Sequence, residues 1–130
     1  MTIEDALYDR LTTDTGVSAE VDTRVYPTDL PEAPTMPALT YQIISHIPVL
    51  SHDTGPANAR TARIQVTAYA DSRQKLTDLR EAVVTALDGW RDQNLSPRID
   101  RCQWQDGSDT RVPQTSRYRD DLDFMLHYAP

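Results

Sequence analysis

Several residue types are scarce in this sequence, and each scarcity argues against a class of structure or chemistry. Cys102 is the only cysteine among 130 residues, which excludes an internal disulfide and any metal site built from several thiolates. Lys75 is the only lysine, and 13 basic residues stand against 20 acidic ones, so the formal net charge is -7. A chain with that charge has no overall positive field to hold a phosphate backbone, which argues against tight non-specific binding of nucleic acid.

Long apolar runs and clustered glycines are missing as well. No stretch approaches the length of a membrane span, and the opening "MTIEDALYDRL" carries acids where a signal peptide needs basic residues. We therefore expect a protein made in the cytosol, which stays there unless it is packaged, and no membrane partner. The four glycines lie far apart, at Gly16, Gly55, Gly89 and Gly107, so no glycine-rich phosphate loop is present.

Two segments have the periodicity of helices. From about Thr2 to Thr13 the apolar residues fall three and four apart, Thr2 is a suitable N-cap, and Gly16 lies beyond the predicted end. A longer helix is predicted from about Ser72 to Asp88, with Gly89 as its left-handed stop. Its apolar stripe consists of Leu76, Leu79, Val83, Leu87 and Trp90.

The rest of the chain reads as strands and loops. A very short strand is predicted around Arg24 to Tyr26, and longer strands begin near Ala38, Arg63, Arg98 and Tyr118. These patterns predict an α+β fold: a single two-layer domain over residues 1–130, with an antiparallel sheet of about four main strands, one long helix across it and a short N-terminal helix. The predicted core contains Leu7, Tyr41, Ile43, Ile64, Val66, Leu76, Leu79, Val83, Leu87, Phe124 and Leu126.

Two polar segments are predicted to be exposed loops, Ile47 to Thr61 and Gly107 to Arg117. Both are longer than the joining of paired strands requires, so we expect them to contact neighbouring subunits or other proteins. Arginine suits fixed ion pairs at interfaces, which makes the arginines near these loops candidates for such contacts. The candidate interface residues are His52, Asp53, Arg60, Arg111 and Arg117.

No catalytic site, cofactor site or metal site is predicted. His46, His52 and Asp53 are metal-binding residue types, but their spacing fits no compact ligand motif, and a solvated loop is the preferred interpretation. Asp121 and Asp123 resemble a catalytic carboxylate pair, yet strand alternation places both on the solvent side, where both ionise. His127 is interpreted as a surface or interface residue.

With these elements placed, the chain resembles the tail-completion, or tail-terminator, proteins of bacteriophages with long flexible tails. Three segments carry the resemblance: "VDTRVYPTDLPEAPTMPALTYQI", "VTAYADSRQKLTDLREAVVTALDG" and the closing "YRDDLDFMLHY". The resemblance implies a sheet packed by helices and a hexameric ring at the head-proximal end of the tail. Such a ring ends tail-tube polymerisation and binds the head connector, or stopper, while DNA passes through it only as transient cargo. The implied location is the virion tail, after assembly in the bacterial host cytoplasm.

A ring that conducts DNA should not grip phosphate, so its wall should be neutral or acidic. Asp121 and Asp123 are candidates for that channel wall, although an acidic outer surface is an equally simple interpretation. Three other classes of protein stay open from the sequence: a different head-tail joining or neck protein, a non-catalytic cytosolic interaction module, and an enzyme with a cryptic site.

Overall fold

The first helix begins where the sequence predicts. In the computed structural model, which describes residues 2–32, 34–48, 60–95, 97–112 and 117–129, helix α1 spans Ile3–Thr13. Thr2 is its N-cap: the Thr2 hydroxyl accepts a hydrogen bond from the Asp5 amide at 3.1 Å, and the Asp5 carboxylate accepts one from the Thr2 amide at 2.9 Å. This reciprocal pair is a capping box, which satisfies two amides at the helix start.

A second helix, α2 (Thr15–Val21), was not predicted. Gly16 lies inside it and is not the terminator of α1. Asp14 both ends α1 and caps α2, since its carboxylate accepts a hydrogen bond from the Val17 amide at 3.1 Å. Thr, Gly, Ser and Val are weak helix formers, so local propensity gave little signal here. The fully buried Val17 and Val21, one helical turn apart, show that packing against the core holds this helix in place.

Five strands form one sheet. Their order across the sheet is β1-β2-β3-β5-β4, with β1 parallel to β2 and every other neighbouring pair antiparallel. The helix α3 (Arg73–Leu87) follows β3. The predicted α+β fold is therefore confirmed, with the short β1 added as a parallel edge strand. The strand bounds are β1 (Val25–Pro27), β2 (Ala38–Pro48), β3 (Arg60–Ala70), β4 (Arg98–Val112) and β5 (Arg117–Ala129).

Helix α3 packs its leucine stripe on the sheet as predicted. The Ser72 hydroxyl caps its start by accepting a hydrogen bond from the Lys75 amide at 3.3 Å, and Gly89 has a positive φ of 83° just beyond its end. The predicted core residues are buried except Tyr41 and Ile43, which are only partly buried at its margin. Within the described ranges, no helix combines the length and the apolar character that crossing a bilayer would need.

The predicted loops are shorter than expected. Ile47 and Thr61 belong to β2 and β3, and residues 49–59 lie outside the described part of the chain. The prediction of a loop from Gly107 to Arg117 is wrong, because β4 continues to Val112 and its second half pairs with β5 down to Val112 opposite Arg117. Gly107 suggested a turn, but in the strand it permits close packing: a Cβ there would lie 3.2 Å from the Leu122 Cδ2.

Candidate interface

One face of the sheet is covered by the helices and the other is not. On β5, Leu122, Phe124 and Leu126 point into the helix-packed core and are fully buried. Their neighbours along the strand point the other way, and with their cross-strand partners they form the open face of the sheet. This open face includes Gln42, Thr61, Arg63, Gln65, Thr67, Arg119, Asp121, Asp123, Met125 and His127.

Asp121 lies on the open face, as strand alternation predicts, but it is not a freely solvated acid. Its carboxylate accepts hydrogen bonds from the Thr67 hydroxyl at 2.9 Å and from the Arg119 Nε at 3.0 and 3.2 Å. The hydrogen bond to Asp121 raises the pKa of Arg119, which outweighs the opposing effect of its partial burial. The Asp121 side chain is only 24% exposed. Its charge is therefore compensated within the same face.

Asp123 is paired in the same manner. Arg63 Nη2 donates to the Asp123 Oδ2 at 3.1 Å, and the Asp123 side chain is 17% exposed. Its second oxygen, Oδ1, is buried and has no hydrogen-bond partner among the described residues. A shallow cavity of about 410 Å³ opens here, lined by Arg63, Gln105, Asp106, Asp123 and Met125. This cavity leaves room on the open face for a further polar group.

Neutral hydrogen bonds fill the rest of the open face. Gln42 donates from Nε2 to the Gln65 Oε1 at 2.9 Å, and Thr61 Oγ1 and His127 Nδ1 lie 3.0 Å apart in a hydrogen bond. Together with the two arginine-aspartate pairs, these contacts make the face polar while its opposite charges are matched locally. Such a surface suits contact with water or with a polar partner.

The candidate interface arginines lie at two ends of the sheet. Arg60 is exposed at the start of β3, at the end where that strand meets Tyr128 of β5. Arg111 and Arg117 lie in the β4–β5 hairpin at the opposite end, where Arg111 is paired with Tyr118. They are strand residues, since the loop predicted to carry them is mostly strand. His52 and Asp53 lie outside the described residues.

Of the three metal-binding residue types considered in the sequence, His46, His52 and Asp53, only His46 is among the described residues. His46 Nδ1 forms a 3.0 Å hydrogen bond with the Tyr128 hydroxyl, while His52 and Asp53 are not among the described residues. In the ranges that the structure covers, no three His, Cys, Asp or Glu side chains are grouped so that they could hold a metal ion. Cys102 is buried, and this burial raises the pKa of its thiol to about 12.

A second polar cluster, which the sequence interpretation missed, lies on the helix side of the sheet. Asp120 is 1% exposed, and its Oδ2 lies 3.5 Å from the Nη1 of Arg80 on α3. Both border a cleft of about 230 Å³, together with Glu81, Gly107 and the exposed Trp104. Strand alternation could have found Asp120, because it shares the parity of Leu122 and Phe124. Arg80 lies outside the leucine stripe of α3, so the apolar pattern of the helix gave no signal for its contact with the sheet.

Comparison with known proteins agrees with the fold. The family model described as "Tail completion protein gp17" matches residues 5–129. Among solved structures, a chain from "Virion of native gene transfer agent (GTA) particle" superposes with a TM-score of 0.72 at 20% sequence identity. That alignment covers 95% of this chain and 92% of the other chain. A search of curated proteins finds no match to the sequence.

Proposed function

This chain belongs to the Tail completion protein gp17 family, and from that premise we propose that it forms a ring at the head-proximal end of a phage or prophage tail. In this role the ring stops polymerisation of the tail tube and provides the surface that joins the head connector. The observation that carries the proposal is the family match, which spans residues 5–129 and therefore all five strands, α2, α3 and all of α1 except its first two residues. The coarser conclusion, a structural component of a virion tail, follows from the family itself.

The size of the chain is compatible with a ring of six that conducts DNA. A globular chain of this length has a radius of gyration of about 14 Å and a diameter of roughly 36 Å. Six such spheres in a ring leave a hole of about 36 Å, whereas three leave roughly 6 Å. Duplex DNA is about 20 Å wide, so a ring of six would let it pass and a ring of three would not.

We place the open face on the channel side of this ring, with Asp121 and Asp123 in its wall. The support is electrostatic: each aspartate is held by an arginine, Arg119 or Arg63, so the face offers no surplus of positive charge to phosphate. The net charge of -7 per subunit adds a repulsive background. DNA is then cargo that moves along the wall without being gripped by it.

We assign contacts with other subunits and tail proteins to the two ends of the sheet. Arg60 lies in the strand at one end and Arg111 and Arg117 at the other, and arginines at such positions suit ion pairs with acids of a neighbour. The predicted loop that carries His52 and Asp53 is assigned to the same role, with the tail-tube protein and the connector as the partners. This is a structural role that needs no cofactor and no catalytic residue.

A polymerisation assay tests the proposed function. Tail-tube protein from the same particle is allowed to assemble with and without this chain, and tube lengths are measured by electron microscopy. We expect the chain to stop growth and to be found at one end of each tube. Unlimited growth in its presence, or its recovery only with the connector, would instead favour a neck protein on the head side.

The channel assignment has its own test in the double variant Asp121→Lys and Asp123→Lys. Rings should still form, but ejection of DNA should slow, and more so at low salt, where attraction to phosphate is least screened. The matched control is Asp78→Lys with Glu81→Lys, which makes the same charge change at exposed positions of α3. Equal ejection by both double variants would place the aspartates outside the channel, and loss of the ring in the first alone would place them at a subunit contact.

A further inference from the structure

One outer edge of the sheet is only partly covered. The short strand β1 pairs with β2 at Leu39, Thr40 and Tyr41, and the Thr28 amide adds a last hydrogen bond to the Tyr41 carbonyl at 2.8 Å. Beyond that point, from Gln42 to Pro48, no described strand lies on the outer side of β2. Within the described part of the chain, this seven-residue stretch of β2 is therefore an open edge, with no strand paired to the backbone groups on its outer side.

The opposite edge of the sheet, along β4, is covered only over the first half of that strand. The segment after α3 runs along the beginning of β4, where the Gly89 amide donates to the Cys102 carbonyl at 2.7 Å. The Asp88 carboxylate then accepts from the Trp104 amide at 3.0 Å. From Asp106 to Val112, no described strand or loop segment pairs with the outer side of β4. This second open edge is also seven residues long.

Open edges of this length are normally protected against pairing with other chains. Natural proteins place lysine, proline or inward-pointing charges on such edges, or cover them. The open edge of β2 carries none of these until Pro48, although its pairing with β3 has one irregularity, between Ile43 and Ser45, and it exposes two large apolar side chains, Ile44 at 44% and Ile47 at 53%. This irregularity leaves the apolar side chains of the edge exposed, which indicates a surface that is covered in the assembled state.

The two open edges have the right directions to pair with each other. Strands β2 and β4 run antiparallel to one another across the sheet, because three antiparallel pairings separate them. When subunits are related by rotation about a ring axis, β4 of one subunit therefore meets β2 of the next in an antiparallel arrangement. The two edges differ, so this contact is head-to-tail, the kind that closes a ring.

The required stagger matches the geometry of closed sheets. Within one subunit, Gln42 and Asp106 lie in the same row across the sheet, through Gln65 and Asp123. Pairing the edges brings Asp106 of one subunit opposite Pro48 of the next. Because of the irregularity between Ile43 and Ser45, Pro48 lies five β3 residues from that row, opposite Arg60, which is a step of about 17 Å along the strands for each four strands, which are about 19 Å wide. Strands then tilt by roughly 42° from the ring axis, within the 35–45° at which sheets close into barrels.

We propose that the ring is closed by backbone pairing between the β2 edge, Gln42–Pro48, of one copy of this chain and the β4 edge, Asp106–Val112, of the next. The inference rests on the proposed function, since it names the contact through which that ring forms. It makes the four long strands of each subunit part of one continuous antiparallel sheet. Ile44 and Ile47 are covered in the process, and the open face of each subunit continues into that of its neighbour.

Cysteine cross-linking tests the pairing directly. Ile44→Cys is combined in turn with Asp109→Cys, Thr110→Cys and Arg111→Cys, which spans the expected register and one residue on either side. Under mild oxidation, in the presence of tail-tube protein, one double variant should give a ladder of covalent oligomers up to six copies. Each single variant should give none, because the two edges are different surfaces. The native Cys102 is buried in β4 and should stay unreactive.

A second experiment blocks the β2 edge. Ile44→Lys places a charge on the exposed β2 edge and should abolish the ring, while the fold, followed by circular dichroism, is retained. The control is Tyr8→Lys, which replaces a comparably exposed apolar residue on α1, at 36% exposure, and should leave the ring intact. A ring of normal mass that neither cross-links in any register nor responds to Ile44→Lys overturns the edge pairing and leaves the proposed function standing. Absence of any ring for the unmodified chain with tail-tube protein overturns both.

Discussion

Replacing Leu79 with Ala is the sharpest test of the packing that holds the sheet in shape. Leu79 lies in the middle of α3, is 0% exposed and belongs to the core that joins this helix to β3 and β5. The substitution removes about three methylene equivalents at roughly 0.8 kcal/mol each, and the remaining cavity adds to this loss. The expected decrease in the free energy of unfolding is about 2 to 5 kcal/mol.

Urea denaturation followed by circular dichroism measures this loss. With a slope of about 2 kcal/mol per molar urea, the midpoint should fall by roughly 1 to 2.5 M. Thr85→Ala, at an exposed position of the same helix, is the control and should change stability by no more than about 0.5 kcal/mol. If Leu79→Ala also stays within about 0.5 kcal/mol, the stripe is not buried and the two-layer arrangement is refuted.

Three further predictions concern single side chains. Arg10 donates from Nε to the Ala86 carbonyl at 2.9 Å and lies 5.7 Å from the centre of the Trp90 ring. Arg10→Ala should therefore lower the free energy of unfolding, measured by urea denaturation, by about 1 to 3 kcal/mol, and Arg10→Lys should recover only part of this loss. The capping box lowers the pKa of Asp5, chiefly through the hydrogen bond from the Thr2 backbone. The stabilisation by the ionised Asp5 is therefore present above the ordinary value of 3.8 and disappears as pH falls through the folded pKa, where thermal melts of wild type and Asp5→Asn should converge. Burial raises the pKa of the Cys102 thiol to about 12, so the thiol should react with a thiol reagent only after unfolding, and fast labelling of the native protein would contradict this. As pH rises from the ordinary value of 9.0 to about 12, the thiol should reduce the stability of the fold, because it ionises first in the unfolded chain.

Elements with a strong local pattern were predictable from the sequence. The helix α3 has a leucine stripe, a serine cap and a glycine stop, and these three signals agree on its position. Strand β5 alternates Leu122, Phe124 and Leu126 with polar residues, which is why the placement of Asp121 and Asp123 away from the core is confirmed. In these segments the local signal and the tertiary packing favour the same structure.

Elements held by distant contacts were not predictable in the same way. Helix α2 consists mostly of weak helix formers and depends on the burial of Val17 and Val21. The second half of β4 has turn-forming residues, and its strand conformation depends on its ladder with β5. The pairing of Arg63 with Asp123 joins residues 60 positions apart through the register of β3 and β5, which a single sequence does not specify. The solvated acids that the sequence suggested are therefore matched ion pairs.

The copy number at the end of a tail tube tests the central proposal most directly. Native mass spectrometry of this chain bound to capped tail tubes, or to short assemblies of the tail-tube protein, measures how many copies form one unit. The account predicts a closed ring of six copies of this chain that stays associated with the tube protein. Single, independent copies on the tube, or a chain that remains a monomer at every concentration with the tube protein present, would contradict it.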